Sequence, residues 1–245
     1  MYYREGFAAF ANRITSQIES NGGRIFVDSP VHSLLVKDGK VTEIQAAGDK
    51  FKVDAIIATP ALPIIADLVE PYVSQEYIKQ LRRIKYLGNV CLILELDRSL
   101  SDIYWLNVNE LDFPFVGIIE HTNFEPPDTY GGRHIVYLSK YLPASAELFR
   151  MKDDELLKFT IPHLQRMFPK FKNEWILAYH VWRAHYSQPV IERNYSRLLP
   201  SHETPLQNFF IATMAQIYPE DRGTNYAIRE GRKLGAHIAL TLLNK

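Results

Sequence analysis

The sequence is short of cysteine, of net charge and of any long unbroken apolar run. Cys91 is the only cysteine in 245 residues. No disulfide can form within the chain, which fits a reducing, cytoplasmic compartment. Its place in the apolar run "VCLILEL" marks it as a core residue rather than a nucleophile. Lysine plus arginine equal aspartate plus glutamate at 28 each, so charge gives no reason to expect nucleic acid or an acidic membrane surface as partner. The longest apolar stretch, "AIIATPALPIIADLV", is broken by Pro60 and Pro63 and is too short to span a bilayer. The opening "MYYREGFAAF" lacks the basic region and apolar core of a signal peptide. HExxH, paired CxxC, GxSxG, GxxxxGK(S/T) and GxGxxG are all missing. The 8 histidines are scattered, so no metal centre is expected. His180 and His185 are five apart in a strand-like run and should point to opposite faces.

What is present is a globular chain long enough for one large domain or two smaller ones. Hydrophobic residues make up 47% and charged residues 23%, ordinary for a packed domain. Aromatic content is high at 12%. It reads equally as a well-filled core or as a cavity lined by rings.

Phe7, Phe10, Ala11, Ile14 and Ile18 recur at helical spacing and predict a helix over 7–20, ended by "NGG". "RIFVDS" then reads as a short strand. "VHSLLVKDGKVTEIQAA" reads as a hairpin about Asp38-Gly39. "GDKFKVDAIIATP" starts with a third strand. It ends in the continuous apolar "DAIIATP", a pattern that suggests burial on both faces. Residues 61–85 look helical with a break at Pro71. "NVCLILELD", "PFVGIIEHT", "RHIVYLSKYL" and "WILAYHVWRAHY" read as strands. They predict a mainly antiparallel sheet whose inner face carries aromatic side chains. The helix in "KDDELLKFTIPHLQRMF" begins with Asp153, Asp154 and Glu155, acids that complement the helix dipole. "FFIATMA" is a last buried strand. The order of elements predicts two intertwined parts: residues 1–70 with 205–245 as one layered α/β unit, and 71–204 as an inserted sheet-and-helix unit.

The closing stretch "QIYPEDRGTNYAIREGRKLGAHIA" joins a polar turn to a helix. Gly223 permits positive φ in that turn, and Thr224 or Asn225 can cap the helix. Gly231, Gly235 and Ala239 form a small-residue stripe. Glycine inside a helix costs about 1 kcal/mol against alanine, so the stripe calls for a neighbour that packs very close. Free N–H groups at the helix head attract electron-rich atoms. Glu220 and Asp221 stand just upstream, so a neutral acceptor such as a ring carbonyl suits this head better than a phosphate. A capped surface helix is the plainer alternative.

"REGFAAFANRITSQIESNGGRIFVDSPVHSLLVKDGKVTEIQAAGDKFKVDAIIATP" resembles the middle of the flavin-containing amine oxidase superfamily, which includes protoporphyrinogen oxidases and phytoene desaturases. "VWRAHYSQPV" resembles its Trp-and-Pro stretch, and "FFIATMAQIYPEDRGTNYAIREGRKLGAHIA" its closing flavin motif. The resemblance covers nearly all of this chain but only the later half of a family member. It implies part of a layered α/β FAD-binding domain with an inserted, mainly antiparallel substrate domain. It also implies a GxGxxG-bearing Rossmann segment ahead of Met1, as in a fragment, a truncated reading frame or a split enzyme. Carried over by position, Val31, Thr59 and Pro60 fall near the adenine end of FAD. Thr213 and Met214 fall on the family's Gly-Asp pair, whose acid reaches the ribityl or phosphate oxygens. Asn225, Tyr226 and Ala227 fall beside the flavin carbonyl. In the family the inserted unit binds substrate against the flavin. Position and chemistry single out Trp105, His121, Trp182 and Tyr186 for that role. No catalytic acid or base is singled out. The function implied is the C-terminal portion of an FAD-dependent oxidoreductase acting on a small molecule. The alternatives are an FAD-dependent isomerase of the sugar-mutase type and a truncated, non-catalytic chain.

Overall fold

Asp38 and Gly39 both have positive φ, 49° and 72°, the geometry a two-residue hairpin turn needs. They join β1 (Val31–Lys37) to β2 (Lys40–Ala46), and β3 (Asp49–Lys52) pairs antiparallel with β2 to complete a three-stranded sheet. The structure is a computed structural model that describes Tyr3 and residues 6–243, with Leu243 described by its backbone alone. Met1, Tyr2, Arg4, Glu5, Asn244 and Lys245, at the ends of the segments read as the cofactor domain and partly within the stretch tested for a signal peptide, lie outside the described residues.

The chain divides into two units, residues 1–85 with 191–245, and residues 86–190. In the first, β4 (Ile56–Ala58) and β10 (Phe209–Ile211) pair in parallel. Asn208, just before β10, ties this pair to the hairpin. Its amide accepts from the Val41 N–H at 2.8 Å and donates to the carbonyls of Val41 and Asp54 at 2.8 and 2.9 Å. The helices α2 (Leu62–Val69) and α3 (Gln75–Arg83) bury Leu62, Ile65, Ala66 and Val69 from one, and Ile78 and Leu81 from the other. Ser74 caps α3 by accepting from the Tyr77 N–H at 3.3 Å. Arg82 on α3 pairs with Asp67 and Glu70.

Three features of this unit depart from the sequence reading. "RIFVDS" is not a strand. A strand exists only with a ladder partner, and none lies beside residues 24–29 among the described residues. Val27 is 77% exposed, and Phe26 rests edge-on against Phe51 of β3. "DAIIATP" is not buried on both faces, because β4 has one neighbouring strand and Ile57 is 42% exposed. The first helix, α1 (Gly6–Ser20), forms with the expected spacing. Its apolar residues Phe7, Ile14 and Ile18 are nonetheless exposed, and Gly6 alone is buried.

The second unit is a five-stranded antiparallel sheet ordered β6 (Trp105–Asn107), β7 (Gly117–Glu120), β8 (His134–Leu142), β5 (Tyr86–Leu96), β9 (Ile176–Pro189). Side chains alternate between its faces. Val90, Leu92, Leu94 and Leu96 of β5 join Val136 and Leu138 of β8 in one core cluster with Leu156 and Leu164 of α5 (Asp153–Met167). On this inner face the strands contribute mainly aliphatic side chains, with Tyr179 of β9 opposite Leu94 as an aromatic member, fewer rings than the composition suggested. Phe113, Phe115, Phe149 and Phe171 belong to the same buried cluster. Arg183 of β9 holds the entry to α5, where α4 (Glu147–Arg150) leads into it. Arg183 donates to the carbonyls of Phe149 and Met151 at 2.8 and 2.5 Å and pairs with Asp153 at 2.6 Å. His185 stacks edge-on with the buried Phe149, whereas His180 bonds Glu95 on the other face, as the odd spacing requires.

Candidate functional site

The last helix, α6 (Thr224–Leu243), follows β10 through the turn that holds Glu220 and Asp221. Its first carbonyl is that of Gly223, which accepts from the N–H groups of Tyr226 and Ala227 at 3.0 Å each. Gly223 is thus the cap residue, and Thr224 and Asn225 lie inside the first turn, where they were expected to cap it. Nor is φ positive at Gly223. A Cβ at Gly223 would sit 2.6 Å from Asn225 Oδ1, so the exposed Asn225 side chain would have to move aside for any other residue.

The acids ahead of the helix do not leave its head bare of positive charge. Arg229, one turn in, pairs with Glu220 and Glu230 at 2.7 Å each and lies over the Tyr226 ring at 4.9 Å from its centre. The Arg229 guanidinium holds the Glu220 carboxyl below the usual carboxylate range. Glu220 is offset in this way, whereas the Asp221 carboxylate accepts from the backbone N–H of Arg222 at 2.8 Å.

A cavity of about 230 Å³ lies against this turn, walled by Ile57, Thr59, His202, Ala212, Thr213, Met214, Gln216, Ile217, Ala227, Glu230, Gly231 and Leu234. It is smaller than a typical whole-ligand pocket, which runs from roughly 300 Å³ upward, so it suits one portion of a larger molecule. Four residues named from sequence meet here: Thr59, Thr213, Met214 and Ala227. Val31, Pro60, Asn225 and Tyr226 are not on its wall. His202 was missed by sequence reasoning, as nothing in "PSHETP" marks it. Its Nδ1 donates to the Ile211 carbonyl at 2.8 Å, which directs its Nε2 lone pair away from β10. A second hollow of about 390 Å³ shares His202 and Glu230 and adds Glu203, Lys233 and His237.

The small-residue stripe of α6 has no close neighbour among the described residues. A Cβ placed on Gly231 or Gly235 meets nothing within 4 Å. The expected close approach is therefore absent, and the stripe lies open, with Gly231 on the cavity wall.

In the second unit, Trp105 and Trp182 share the face of the sheet opposite the core. Register pairs Trp105 with Ile119, Ile119 with Tyr137, Tyr137 with Ile93, and Cys91 with Trp182. The two tryptophans are 56% and 66% exposed. Tyr186, further along β9, is also exposed and packs edge-on against Tyr86. His121 is instead buried. Its Nε2 lies 2.6 Å from the Tyr130 hydroxyl, and its ring meets Tyr137 edge-on. Burial lowers its pKa, partly opposed by Glu125. On the same open face Glu95 bonds His180 at 2.9 Å and pairs with Arg133. These contacts hold its carboxyl below the usual range, His180 contributing most.

Among the described residues no helix is long and apolar enough to cross a membrane, and no group of three or more His, Cys, Asp or Glu side chains is placed to hold a metal ion. The chain resembles a putative protoporphyrinogen oxidase from Exiguobacterium sp. 255-15, at 13% identity and a TM-score of 0.76, over 96% of this chain and 51% of that one. It resembles cyclohexylamine oxidase from Brevibacterium oxydans IH-35A at 15% identity and a TM-score of 0.70, over 97% and 53% of the two chains. An oxidoreductase from Methanosarcina mazei is similar at 19% identity and a TM-score of 0.63, over 82% and 47%. The chain spans about half the length of these structures, and the likeness is one of fold. No curated protein sequence matches. The model of the family described as flavin containing amine oxidoreductase matches residues 1–234, nearly the whole chain. The chain therefore belongs to the flavin-containing amine oxidoreductase family.

Proposed function

We propose that this chain supplies the flavin end of an FAD site and the substrate-bearing sheet of an FAD-dependent oxidoreductase. The observation that carries the reading is the cavity beside the head of α6, where Thr59, Thr213, Met214 and Ala227 converge from distant parts of the sequence. The residues present fit a cofactor. One buried hydroxyl on the wall, that of Thr213, lacks a partner, and Gly231 leaves room for close approach. FAD, when bound, supplies the hydride-accepting chemistry.

The chain's own residues do the holding. In this reading Thr59, Thr213, Met214, Ala227 and the first-turn N–H of Asn225 serve the flavin, with Tyr226, whose own N–H is bonded to Gly223, beside them, while Val31 and Pro60 serve the adenine side. Arg229 offsets the charge of Glu220, which makes the helix head less hostile to a ring carbonyl than two unpaired acids would. The open face with Trp105 and Trp182, supported by His121 and continued by Tyr186, takes a small-molecule substrate through aromatic contact. His121, kept neutral by burial, holds the Tyr130 hydroxyl rather than a charge.

The sequence contains no GxGxxG, the element that grips the pyrophosphate of a dinucleotide. Loss of two or three charge-assisted hydrogen bonds, each worth roughly 1.5–3 kcal/mol, weakens binding by several orders of magnitude. The purified 245-residue chain is therefore expected to be colourless and without oxidase activity. A polypeptide extended upstream to include strand–GxGxxG–helix is expected to be yellow with non-covalent FAD. Absorption spectra of both decide the matter. A short chain carrying stoichiometric FAD, or an extended one that binds none, contradicts the reading. Net substrate oxidation with an electron acceptor separates the oxidoreductase from an isomerase, which would turn over without one.

A further inference from the structure

On the open face of the second unit a histidine is bonded at one ring nitrogen and bare at the other. His180 Nε2 lies 2.9 Å from Glu95 Oε1. His180 and then Arg133 hold the Glu95 carboxyl below the usual range, so it is ionised at neutral pH and can only accept. The bond therefore places the ring proton on Nε2, and Nδ1 of the neutral ring keeps its lone pair. No group among the described residues bonds Nδ1. The His180 side chain is 52% exposed, whereas that of Glu95 is 17% exposed. Arg133 pairs with the second oxygen of Glu95 and meets its charge, so charge balance alone does not call for the histidine.

The strand sets this lone pair among the rings of the open face. Trp182 follows His180 by two residues, so both side chains leave the same face, about 7 Å apart along β9. Register runs in one row from His180 through Ile93, Tyr137 and Ile119 to Trp105. A flat ring laid on Trp182 brings a short polar tail within reach of Nδ1. An imidazole oriented by a shielded carboxylate is built as a general base. The carboxylate fixes the ring and stabilises the imidazolium that forms when the other nitrogen takes a proton.

We propose that His180, positioned by Glu95, is the general base for oxidation of an alcohol. The inference rests on the oxidoreductase reading above and on its assignment of this face to substrate. The chemistry of hydride loss selects the substrate class. An amine expels hydride with its own nitrogen lone pair and leaves a stable iminium ion, so it needs no base. A neutral hydroxyl doing the same would leave a protonated carbonyl, a very strong acid, so its proton must go to a base as the hydride departs. The step balances. The substrate O–H bond breaks and its proton passes to Nδ1. The electron pair left on oxygen becomes the second bond to carbon as that carbon gives up hydride to the flavin. The alcohol is oxidised by two electrons to a carbonyl, the flavin is reduced, and the imidazolium faces Glu95.

Tryptophol and 3-ethylindole, which share a ring and differ by one hydroxyl, provide the test in the 245-residue chain. The His180 ring nitrogens are followed by ¹⁵N NMR, and affinity by titration into the millimolar range. The free chain is expected to show the proton on Nε2. Tryptophol is expected to shift the Nδ1 resonance and to bind about two- to tenfold more tightly than 3-ethylindole, the worth of one hydrogen bond. His180→Leu, at an exposed position that leaves the core untouched, should bind both indoles equally. Glu95→Gln presents an amide N–H to Nε2 and should move the ring proton to Nδ1, abolishing the preference for tryptophol, whereas a merely structural Glu95 would leave the preference in place. A free chain with its proton on Nδ1 overturns the proposal. Equal binding of the two indoles by the unsubstituted chain also overturns it and leaves the aromatic substrate face intact. If neither indole binds, the substrate-face reading fails and the base fails with it.

Discussion

Asn208 and Val41 exchange two hydrogen bonds, side chain to backbone, at 2.8 Å each. A third runs from the Asn208 amide to the Asp54 carbonyl. One buried side chain thus replaces the strand neighbour that the hairpin and the parallel pair each lack at this point. Asn208→Ala leaves two buried backbone groups of Val41 and the partly buried Asp54 carbonyl unsatisfied, and each buried group costs roughly 1–3 kcal/mol. The expected loss is about 3–5 kcal/mol, read as a lower urea midpoint for the first unit. Asn208→Asp should fare little better, because its second oxygen faces two carbonyls.

Two glycines should respond to alanine with opposite signs. At Gly88 a Cβ would lie 2.7 Å from the Phe149 ring and 3.0 Å from the Ala184 carbonyl. Phe149 is buried and cannot swing clear. Gly88→Ala is expected to destabilise by about 1–3 kcal/mol through overpacking. Gly231→Ala adds a methyl to open space and removes a helix-interior glycine, so it should stabilise by up to about 1 kcal/mol. Thermal melts of the two variants side by side check both signs.

The Glu95 carboxyl is held below its ordinary value of 4.5 by His180 and then Arg133. A depressed carboxylate contributes stability that is present above the unfolded-state pKa and disappears as pH falls through the folded-state value. Glu95→Gln should therefore be less stable than the unsubstituted chain at pH 7. The gap should narrow below about pH 4.5 as the carboxylate is protonated in both states. A gap that persists unchanged at pH 3 would show that the pairing with His180 and Arg133 contributes nothing electrostatic.

Burial pushes the Cys91 thiol up to about 11. The thiolate is the reactive form, so a disulfide reagent at pH 8 should modify the folded chain far more slowly than the chain in denaturant. Equal rates would place Cys91 in a solvated site.

The local elements were legible where one short pattern is enough to determine the backbone. Asp38-Gly39 demands positive φ twice, and the hairpin follows. Asp153, Asp154 and Glu155 open α5. "RIFVDS" has strand composition, but strand formation depends on a partner that its own residues do not supply. β6 is three residues long, too short to carry a period. The candidate site was half legible. Thr213, Met214 and Ala227 were found through a resemblance to a motif, and Gly231 through the cost of glycine in a helix. His202 reaches the cavity because a backbone carbonyl on β10 turns its ring, a relation with no local signature. The orphaned state of the Thr213 hydroxyl exists only after packing, so no sequence pattern could disclose it.

The pairing of β4 with β10 also sets an order of events during synthesis. Residues 56–58 cannot find 209–211 until nearly the whole chain has left the ribosome. Every strand of the five-stranded sheet lies between residues 86 and 189 and is complete well before that. At roughly 5–20 residues per second, the amino-terminal hairpin and the second and third helices wait many seconds for the strand and asparagine that close their unit. Chain closure at the carboxyl terminus, rather than sheet formation, is then the late step. A polypeptide that ends just after residue 190 and has been released from the ribosome should show a protease-resistant second unit attached to a still-digestible amino-terminal segment.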